Sequence, residues 1–140
     1  QGIVLLTCGC VWRAFGCWNY SLSVIWIAHE NLGMNIIYRN SNEFLRSKYL
    51  PGLCSGEKIG ALALTEPGAG SDALGSMATT ARLEGDRYFL NGRKMYITNG
   101  PVADVLLVYA KTDRDKGAHG FSAFIVEKDF PGFSGAQKLV

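Results

Sequence analysis

The first part of the chain has the apolar spacing of helices. Over Leu22–Ile37 large apolar residues recur every three or four positions, and His29 fills one place in that series. The next segment, Ser41–Leu50, begins with a capping residue and continues an apolar stripe at helical spacing. We therefore predict two helices before residue 57, the second short and ended by Pro51 and by Ser55-Gly56.

Beyond Gly56 the apolar period changes from about 3.6 to about 2, as in strands. Six segments are predicted strands: Ile59–Leu64, Thr79–Leu83, Tyr88–Leu90, Lys94–Thr98, Asp104–Lys111 and Phe121–Glu127. Phe133–Leu139 is a candidate start of another strand. Turns are expected at Glu84–Asp86 and Asn91-Gly92, since Asn-Gly between apolar runs is a strong hairpin signal. The predicted class is α+β, a helical segment followed by an antiparallel β-barrel or sandwich domain.

Charge is distributed unevenly along the 140 residues. The chain has 14 basic and 12 acidic side chains, yet its first 28 residues contain a single charged residue, Arg13, together with all three Trp. The near-neutral balance argues against a nucleic-acid-binding groove, which needs a clustered basic face. Arg13 interrupts the apolar block and neither a basic start nor a cleavage site is visible, so we expect neither a membrane span nor a signal peptide.

Cysteine and histidine residues invite a metal interpretation that their spacing does not favour. Cys8, Cys10 and Cys17, with His29, fit no standard zinc pattern, because structural sites use two close ligand pairs. The four cysteines, at irregular positions, also make no disulfide framework, in keeping with a compartment where thiols stay reduced. We expect no metal site, and we expect His29 to be a hydrogen-bonded core residue.

The most informative segment is the glycine-rich loop after the first predicted strand. Gly68-x-Gly70-x-x-Ala73 matches a dinucleotide fingerprint, but a strand follows it, whereas that fingerprint opens a helix. What remains is a loop with hydroxyls at Thr65 and Ser71 and backbone N–H groups that can hold a phosphate or the polar edge of a ring. The alternative is a tight surface turn.

Two segments carry a resemblance to a known family. Ala63–Asp72 (ALTEPGAGSD) resembles the signature loop of acyl-CoA dehydrogenases, and Asn91–Gly100 (NGRKMYITNG) resembles their second flavin-contact segment. The resemblance extends from about Ala28 to Val140. Within the family, four segments are most similar to isovaleryl-CoA dehydrogenases: Ala28–Leu32, Lys48–Pro51, Ser55–Glu57 and Asn99–Asp113.

The resemblance implies FAD as the cofactor. The residues that would bind it are Leu62, Ala63, Leu64, Thr65, Glu66, Pro67, Gly68, Ala69, Gly70, Ser71, Tyr96, Ile97 and Thr98. Thr65 and Thr98 would hydrogen-bond the polar edge of the flavin, and Tyr96 would lie against the ring system, where many members carry Trp. Taken without its flanking motif, Tyr96 is an ordinary strand aromatic.

The resemblance also implies contacts with an acyl-CoA substrate at Ser71 and at the pair Ala118-His119. Isovaleryl-type members carry Ser-Arg at that pair. Histidine, unlike arginine, is only partly charged near neutral pH, so this departure puts nucleotide affinity in doubt. An exposed loop position is the alternative for His119.

The family implies an α-β-α arrangement of three domains, usually assembled as a tetramer. Residues 1–57 would be the end of the N-terminal helical domain, with 1–20 atypical, and 58–140 the middle β-barrel domain that binds FAD and acyl-CoA. The family's glutamate base lies in a C-terminal helical domain, which we expect beyond Val140. No catalytic residue is therefore assigned in this chain, and we expect it to be inactive alone.

The implied reaction is α,β-dehydrogenation of a short branched acyl-CoA such as isovaleryl-CoA, with electrons passing to electron-transfer flavoprotein. Two alternatives stay open: a non-catalytic β-barrel interaction module derived from this family, and an acyl-CoA oxidase that passes electrons to oxygen. The expected compartment is the mitochondrial matrix in a eukaryote and the cytoplasm in a bacterium. Residues 1–20 depart from the family, either as a helix buried by other domains or, as we favour, as an aberrant segment.

Overall fold

The structure, a computed structural model, describes residues 2–135 apart from the side chains of residues 2–6, 74 and 118. Its helices are α1 (Gly2–Trp18), α2 (Tyr20–Ile27), a π-helix (Ala28–Met34), α3 (Asn35–Asn40), α4 (Glu43–Ser55), the short α5 (Ala73–Ser76) and a 3₁₀ turn (Gly117–His119). Its strands are β1 (Gly60–Ala63), β2 (Thr80–Glu84), β3 (Arg87–Asn91), β4 (Val105–Lys111) and β5 (Phe121–Glu127).

The two predicted helices are confirmed, with two differences. The first is a continuous run of α2, the π-helix and α3, which the regular spacing did not reveal. The second, α4, begins at the Asn42 cap, whose Oδ1 accepts from Leu45 N–H at 2.9 Å. Pro51 lies inside α4, so the prediction that it ends the helix is wrong; Leu53, just beyond it, packs in the core, and the helix ends where Gly56 adopts φ 77°.

The β-sheet is mixed, which corrects the expectation of a purely antiparallel one, while the α+β class is confirmed. β4 pairs in parallel with β1, from Gly60↔Val105 to Ala63↔Val108, and antiparallel with β5. β2 pairs antiparallel with β3 and meets β4 in parallel at Thr80↔Lys111. Alternation of apolar residues does not reveal strand direction, and a parallel pair requires a long connection such as those that lead from β1 and from β2 to β4.

One predicted strand is absent. Residues 94–98 form no ladder, and Tyr96 and Asn99 have positive φ values of 56° and 66°. Asn91-Gly92 therefore makes no hairpin, whereas the turn at Glu84–Asp86 is confirmed, with Gly85 at φ 63°. The candidate strand at Phe133–Leu139 is not a strand over 133–135, and residues 136–139 lie outside the described range.

Two apolar clusters hold α3, α4, β1, β4 and β5 together, and β4 contributes to both. One cluster joins helices to the sheet and contains Ile37, Tyr49, Leu53, Val105 and Leu107. The other covers the opposite face and contains Ala61, Ala63, Ala103, Leu106 and Val108. Successive residues of a strand point to opposite faces, so β4 is buried on both sides.

The π-helix approaches β1 closely. A Cβ on Gly33 would lie 3.2 Å from the Gly60 backbone, so glycine at position 33 allows this contact. His29 Nδ1 accepts from Gly60 N–H at 2.9 Å, and Nε2 is 3.0 Å from the Leu53 carbonyl, to which it donates as the Nε2–H tautomer. The expectation that His29 is a hydrogen-bonded core residue is confirmed.

The weakly charged N-terminal block is folded against the π-helix. Trp12 and Trp26 both donate Nε1–H to Glu30 Oε2, at 3.3 and 2.7 Å, and Cys8 Sγ lies 3.4 Å from Glu30 Oε1. Phe15 stacks on Trp26 with ring centroids 5.4 Å apart. Among the described residues no helix is long and apolar enough to cross a membrane.

Replacing His29 tests the contact between the π-helix and β1. His29→Leu removes the acceptor of the buried Gly60 N–H, so we expect the free energy of unfolding to fall by about 2 kcal/mol. The exposed His119 is the matched control: His119→Leu should change it by less than about 0.5 kcal/mol. Urea denaturation followed by circular dichroism measures both, and equal losses would contradict the assigned role of His29.

Candidate flavin and acyl-CoA site

The glycine-rich loop leaves β1 through a tight turn. Glu66 N–H donates to the Ala69 carbonyl at 2.9 Å, and Ala69 N–H donates back to the Glu66 carbonyl at 3.1 Å. Ala69 is buried, whereas Gly68 and Gly70 are exposed. A Cβ added to either glycine would meet nothing within 4 Å, so this side of the loop faces open space.

The Glu66 side chain turns inward, away from the exposed side of its loop. It is buried and accepts three hydrogen bonds: from Ala78 N–H at 2.6 Å, from Thr79 N–H at 3.0 Å and from Lys94 Nζ at 2.8 Å. Lys94 is itself largely buried and also donates to the Leu64 carbonyl at 3.1 Å. The carboxylate thus ties the loop to two segments that are distant in sequence.

A backbone hydrogen bond strengthens the same connection. Met95 N–H donates to the Thr65 carbonyl at 2.8 Å, which places the second predicted flavin segment beside the first. Gly92 lets the chain approach Thr79, because a Cβ there would lie 2.6 Å from Thr79 Cβ. The two segments that resemble flavin contacts are therefore brought together.

The electrostatics of this contact favour the ion pair. Burial alone would raise the pKa of the Glu66 carboxyl, but the hydrogen bonds from Lys94 and from the N–H groups of Ala78 and Thr79 lower that pKa to about 2. Burial lowers the pKa of the Lys94 ammonium, and Glu66 opposes that change. The Glu66 carboxyl is accordingly ionised at neutral pH, and its role is to hold the two segments together.

The outer side of the site carries unsatisfied donors. The N–H groups of Gly68, Gly70 and Ser71 donate to no acceptor within residues 2–135, and the hydroxyls of Thr65 and Thr98 make no hydrogen bond there. Tyr96 is 69% exposed, and its positive φ is rare for a bulky side chain. Backbone N–H groups, hydroxyls and an open aromatic face suit a phosphate-bearing flavin, so these residues fit FAD.

The other predicted flavin residues divide between core and surface. Ala63 is buried, Leu62, Leu64 and Ile97 are partly buried, and Pro67 is exposed. Leu62 packs against the cluster that joins helices to sheet, and Ile97 packs against the cluster on the opposite face. Ala63, Leu62 and Ile97 therefore contribute to the core beneath the site, while Pro67 lies on its surface.

The structure also brings the predicted substrate contacts into one region. Asp72 caps α5 directly after Ser71 and accepts from Gly75 N–H at 3.2 Å. α5 packs against the 3₁₀ turn that ends at the exposed His119. The backbone of Ala118 lies in that turn, and its side chain is outside the described part of the chain.

Sequence reasoning missed the residues that join the two segments. Lys94, Thr79 and Gly92 carry no ligand-binding pattern, and their roles depend on contacts distant in sequence. Lys94 stands inside a segment with strand-like alternation, which hid its inward direction. The available signal was one glutamate in the first motif and a lysine in the second, two opposite charges that could pair if the fold brought the motifs together.

The chain matches two family models. The model described as Acyl-CoA dehydrogenase, middle domain, matches residues 61–139, and the model described as Acyl-CoA dehydrogenase, N-terminal domain, matches residues 1–57. The fold and the site define a class of α+β proteins in which two loop segments suited to a flavin lie side by side. The chain belongs to the acyl-CoA dehydrogenase family.

The names of similar proteins give more than one type of acyl-CoA substrate. The mitochondrial isovaleryl-CoA dehydrogenase of Pongo abelii is 57% identical over 114 residues, 80% of this chain and 27% of the relative. The short-chain-specific acyl-CoA dehydrogenase of Clostridium acetobutylicum is 53% identical over 79% of this chain and 29% of the relative. The solved FAD complex of a Bacillus anthracis acyl-CoA dehydrogenase has a TM-score of 0.77 at 49% identity, over 86% of this chain and 20% of that one. The chain spans less than a third of the length of each.

The depressed pKa of Glu66 predicts a pH dependence of stability. Because that pKa is about 2 in the folded state and 4.5 is its ordinary value, the carboxylate stabilises the fold above about pH 4.5 and this contribution is lost as the pH falls towards 2. We expect Glu66→Gln to lower the free energy of unfolding by about 3 kcal/mol at pH 7 and by progressively less below pH ~4.5.

Urea denaturation at a series of pH values measures this difference. The exposed Glu57 is the matched control: Glu57→Gln should change the free energy of unfolding by less than about 0.5 kcal/mol at pH 7. A Glu66→Gln loss that stays constant down to pH ~2.5 would show that the buried ion pair does not cause the pH dependence.

Proposed function

We propose that this chain supplies the flavin-binding part of an enzyme that removes two hydrogens from the α and β carbons of a short branched acyl-CoA, with isovaleryl-CoA as the first candidate. One observation carries the proposal: the two joined segments present unpaired N–H groups and hydroxyls next to an exposed aromatic ring. The identity to isovaleryl-CoA dehydrogenases supports the choice of substrate.

Each group of the site has a separate task in this proposal. The N–H groups of Gly68, Gly70 and Ser71 bind phosphate oxygens of the cofactor, and the hydroxyls of Thr65 and Thr98 donate to the polar edge of its ring system. Tyr96 packs against that ring and excludes water. FAD, when bound, supplies hydride acceptance, while the protein supplies binding and orientation.

The remaining tasks fall to parts that the family would add. We propose that a glutamate in a C-terminal helical domain removes the α-proton, that electron-transfer flavoprotein takes the electrons and that the complete protein is a tetramer. Ser71 and His119 would contact the CoA end of the substrate. In a eukaryote the compartment would be the mitochondrial matrix, and in a bacterium the cytoplasm.

A chimera tests the function. In it, this chain replaces the corresponding part of the Pongo abelii isovaleryl-CoA dehydrogenase, and flavin absorbance is followed without oxygen after addition of isovaleryl-CoA. We expect rapid bleaching by the chimera and none by the 140-residue chain mixed with FAD. Thr98→Val should slow bleaching by about a hundredfold through loss of a donor to the flavin, and Thr98→Ser, which keeps the hydroxyl, should restore most of the rate.

Other outcomes favour the alternatives. Failure of the chimera to retain FAD would favour a non-catalytic β-barrel module. Formation of peroxide without an added electron acceptor would favour an oxidase. Bleaching by the isolated chain would contradict the proposal that the base lies outside it.

A further inference from the structure

A basic groove lies beside the site, at the end of β4. It is an open cavity of about 480 Å³ between the β2–β3 hairpin and the loop that follows β4. Its polar lining consists of three cations, two hydroxyls and a phenol: Arg82, Lys111, Arg114, Thr80, Thr112 and Tyr88. No carboxylate is among its lining residues, so the lining carries a net positive charge.

The three cations differ in the ion pairs and hydrogen bonds that they already make within the chain. Arg82 pairs with Glu84 on its own strand. Lys111 Nζ donates to the Gly75 carbonyl at 3.3 Å, which leaves further N–H donors of the ammonium unused. Arg114 is exposed and has no partner within residues 2–135, because the adjacent Asp113 pairs with Lys116. Arg114 is therefore the cation most available to a ligand.

The groove adjoins the predicted substrate contacts. Lys111, which lines it, holds the Gly75 carbonyl of α5, the helix that follows Ser71. α5 in turn packs against the 3₁₀ turn at His119. The groove and the predicted substrate contacts are therefore joined through α5.

We propose that this groove binds the phosphate groups at the nucleotide end of the acyl-CoA, with Arg114 as the main contact and Lys111 and Arg82 as supporting cations. A guanidinium is fully charged at neutral pH and binds phosphate through two parallel N–H donors, which an imidazole does not provide. The groove thus supplies guanidinium donors in a loop where position 119 carries an imidazole. The inference rests on the proposed function for the identity of the ligand.

Calorimetric titration of the 140-residue chain with CoA, 3′-dephospho-CoA and pantetheine tests this inference. We expect CoA to bind and Arg114→Gln to weaken that binding about fivefold, the scale of one partly exposed ion pair. Arg82→Gln should weaken it less. Arg13→Gln, an exposed arginine on α1, is the matched control and should leave CoA affinity unchanged, with circular dichroism showing that all variants are folded.

The probes separate the phosphates. If Arg114 contacts the 3′-phosphate, Arg114→Gln leaves the affinity for 3′-dephospho-CoA unchanged. If Arg114 contacts the diphosphate, the substitution weakens the binding of CoA and of 3′-dephospho-CoA by the same factor. Either result supports the groove, and the affinity for pantetheine should be the same in both chains. Unchanged CoA affinity in Arg114→Gln, or no CoA binding by the original chain, overturns the inference.

Flavin binding distinguishes this inference from the proposed function. It is measured as retention of FAD by the chimera described above. CoA binding that depends on Arg114, together with a chimera that does not retain FAD, would overturn the function and keep the groove. A chimera that retains FAD and is bleached by isovaleryl-CoA, without Arg114-dependent CoA binding by the 140-residue chain, would do the reverse.

Discussion

The buried ion pair between Glu66 and Lys94 is the interaction on which the site depends. Neither the loop after β1 nor residues 94–98 belongs to a ladder of the sheet, so no regular hydrogen-bond pattern fixes one against the other. The Glu66 carboxylate connects these two segments and also accepts hydrogen bonds from the two backbone N–H groups that precede β2. In a water-poor interior, a buried ion pair whose carboxylate accepts three hydrogen bonds favours one geometry, because any other leaves a buried charge unpaired.

Backbone strain next to this pair is maintained by neighbouring elements. Asn99 holds its positive φ while its Nδ2 donates to the Ile25 carbonyl at 3.1 Å and to the Gly60 carbonyl at 3.4 Å. Those bonds anchor the end of the Tyr96 segment to α2 and to β1. The segment in which Tyr96 has its positive φ is therefore fixed at its end by neighbouring elements, and unusual backbone conformations of this kind are common where side chains are positioned for ligands.

How much could be predicted from the sequence depends on how far apart along the chain the interacting residues lie. The stripe ending at Leu53 and the alternation in β4 and β5 are local patterns, and they identified α4 and these strands. Lys94–Thr98 alternates just as well, yet the partner that draws Lys94 inward is Glu66, far away in sequence. The motifs identified both flavin segments by resemblance, but their physical connection needed the fold.

The parallel pairing of β1 with β4 also has a consequence for folding kinetics. The connection between these strands, residues 64–104, contains both flavin segments, whereas β2–β3 and β4–β5 are antiparallel pairs joined by shorter connections. Local pairs close at a low entropic cost, and a long-range parallel pair closes slowly. The proposed cofactor site is thus completed only when this long-range pair has formed, and a flavin that binds there would stabilise the folded state in which the pair is closed.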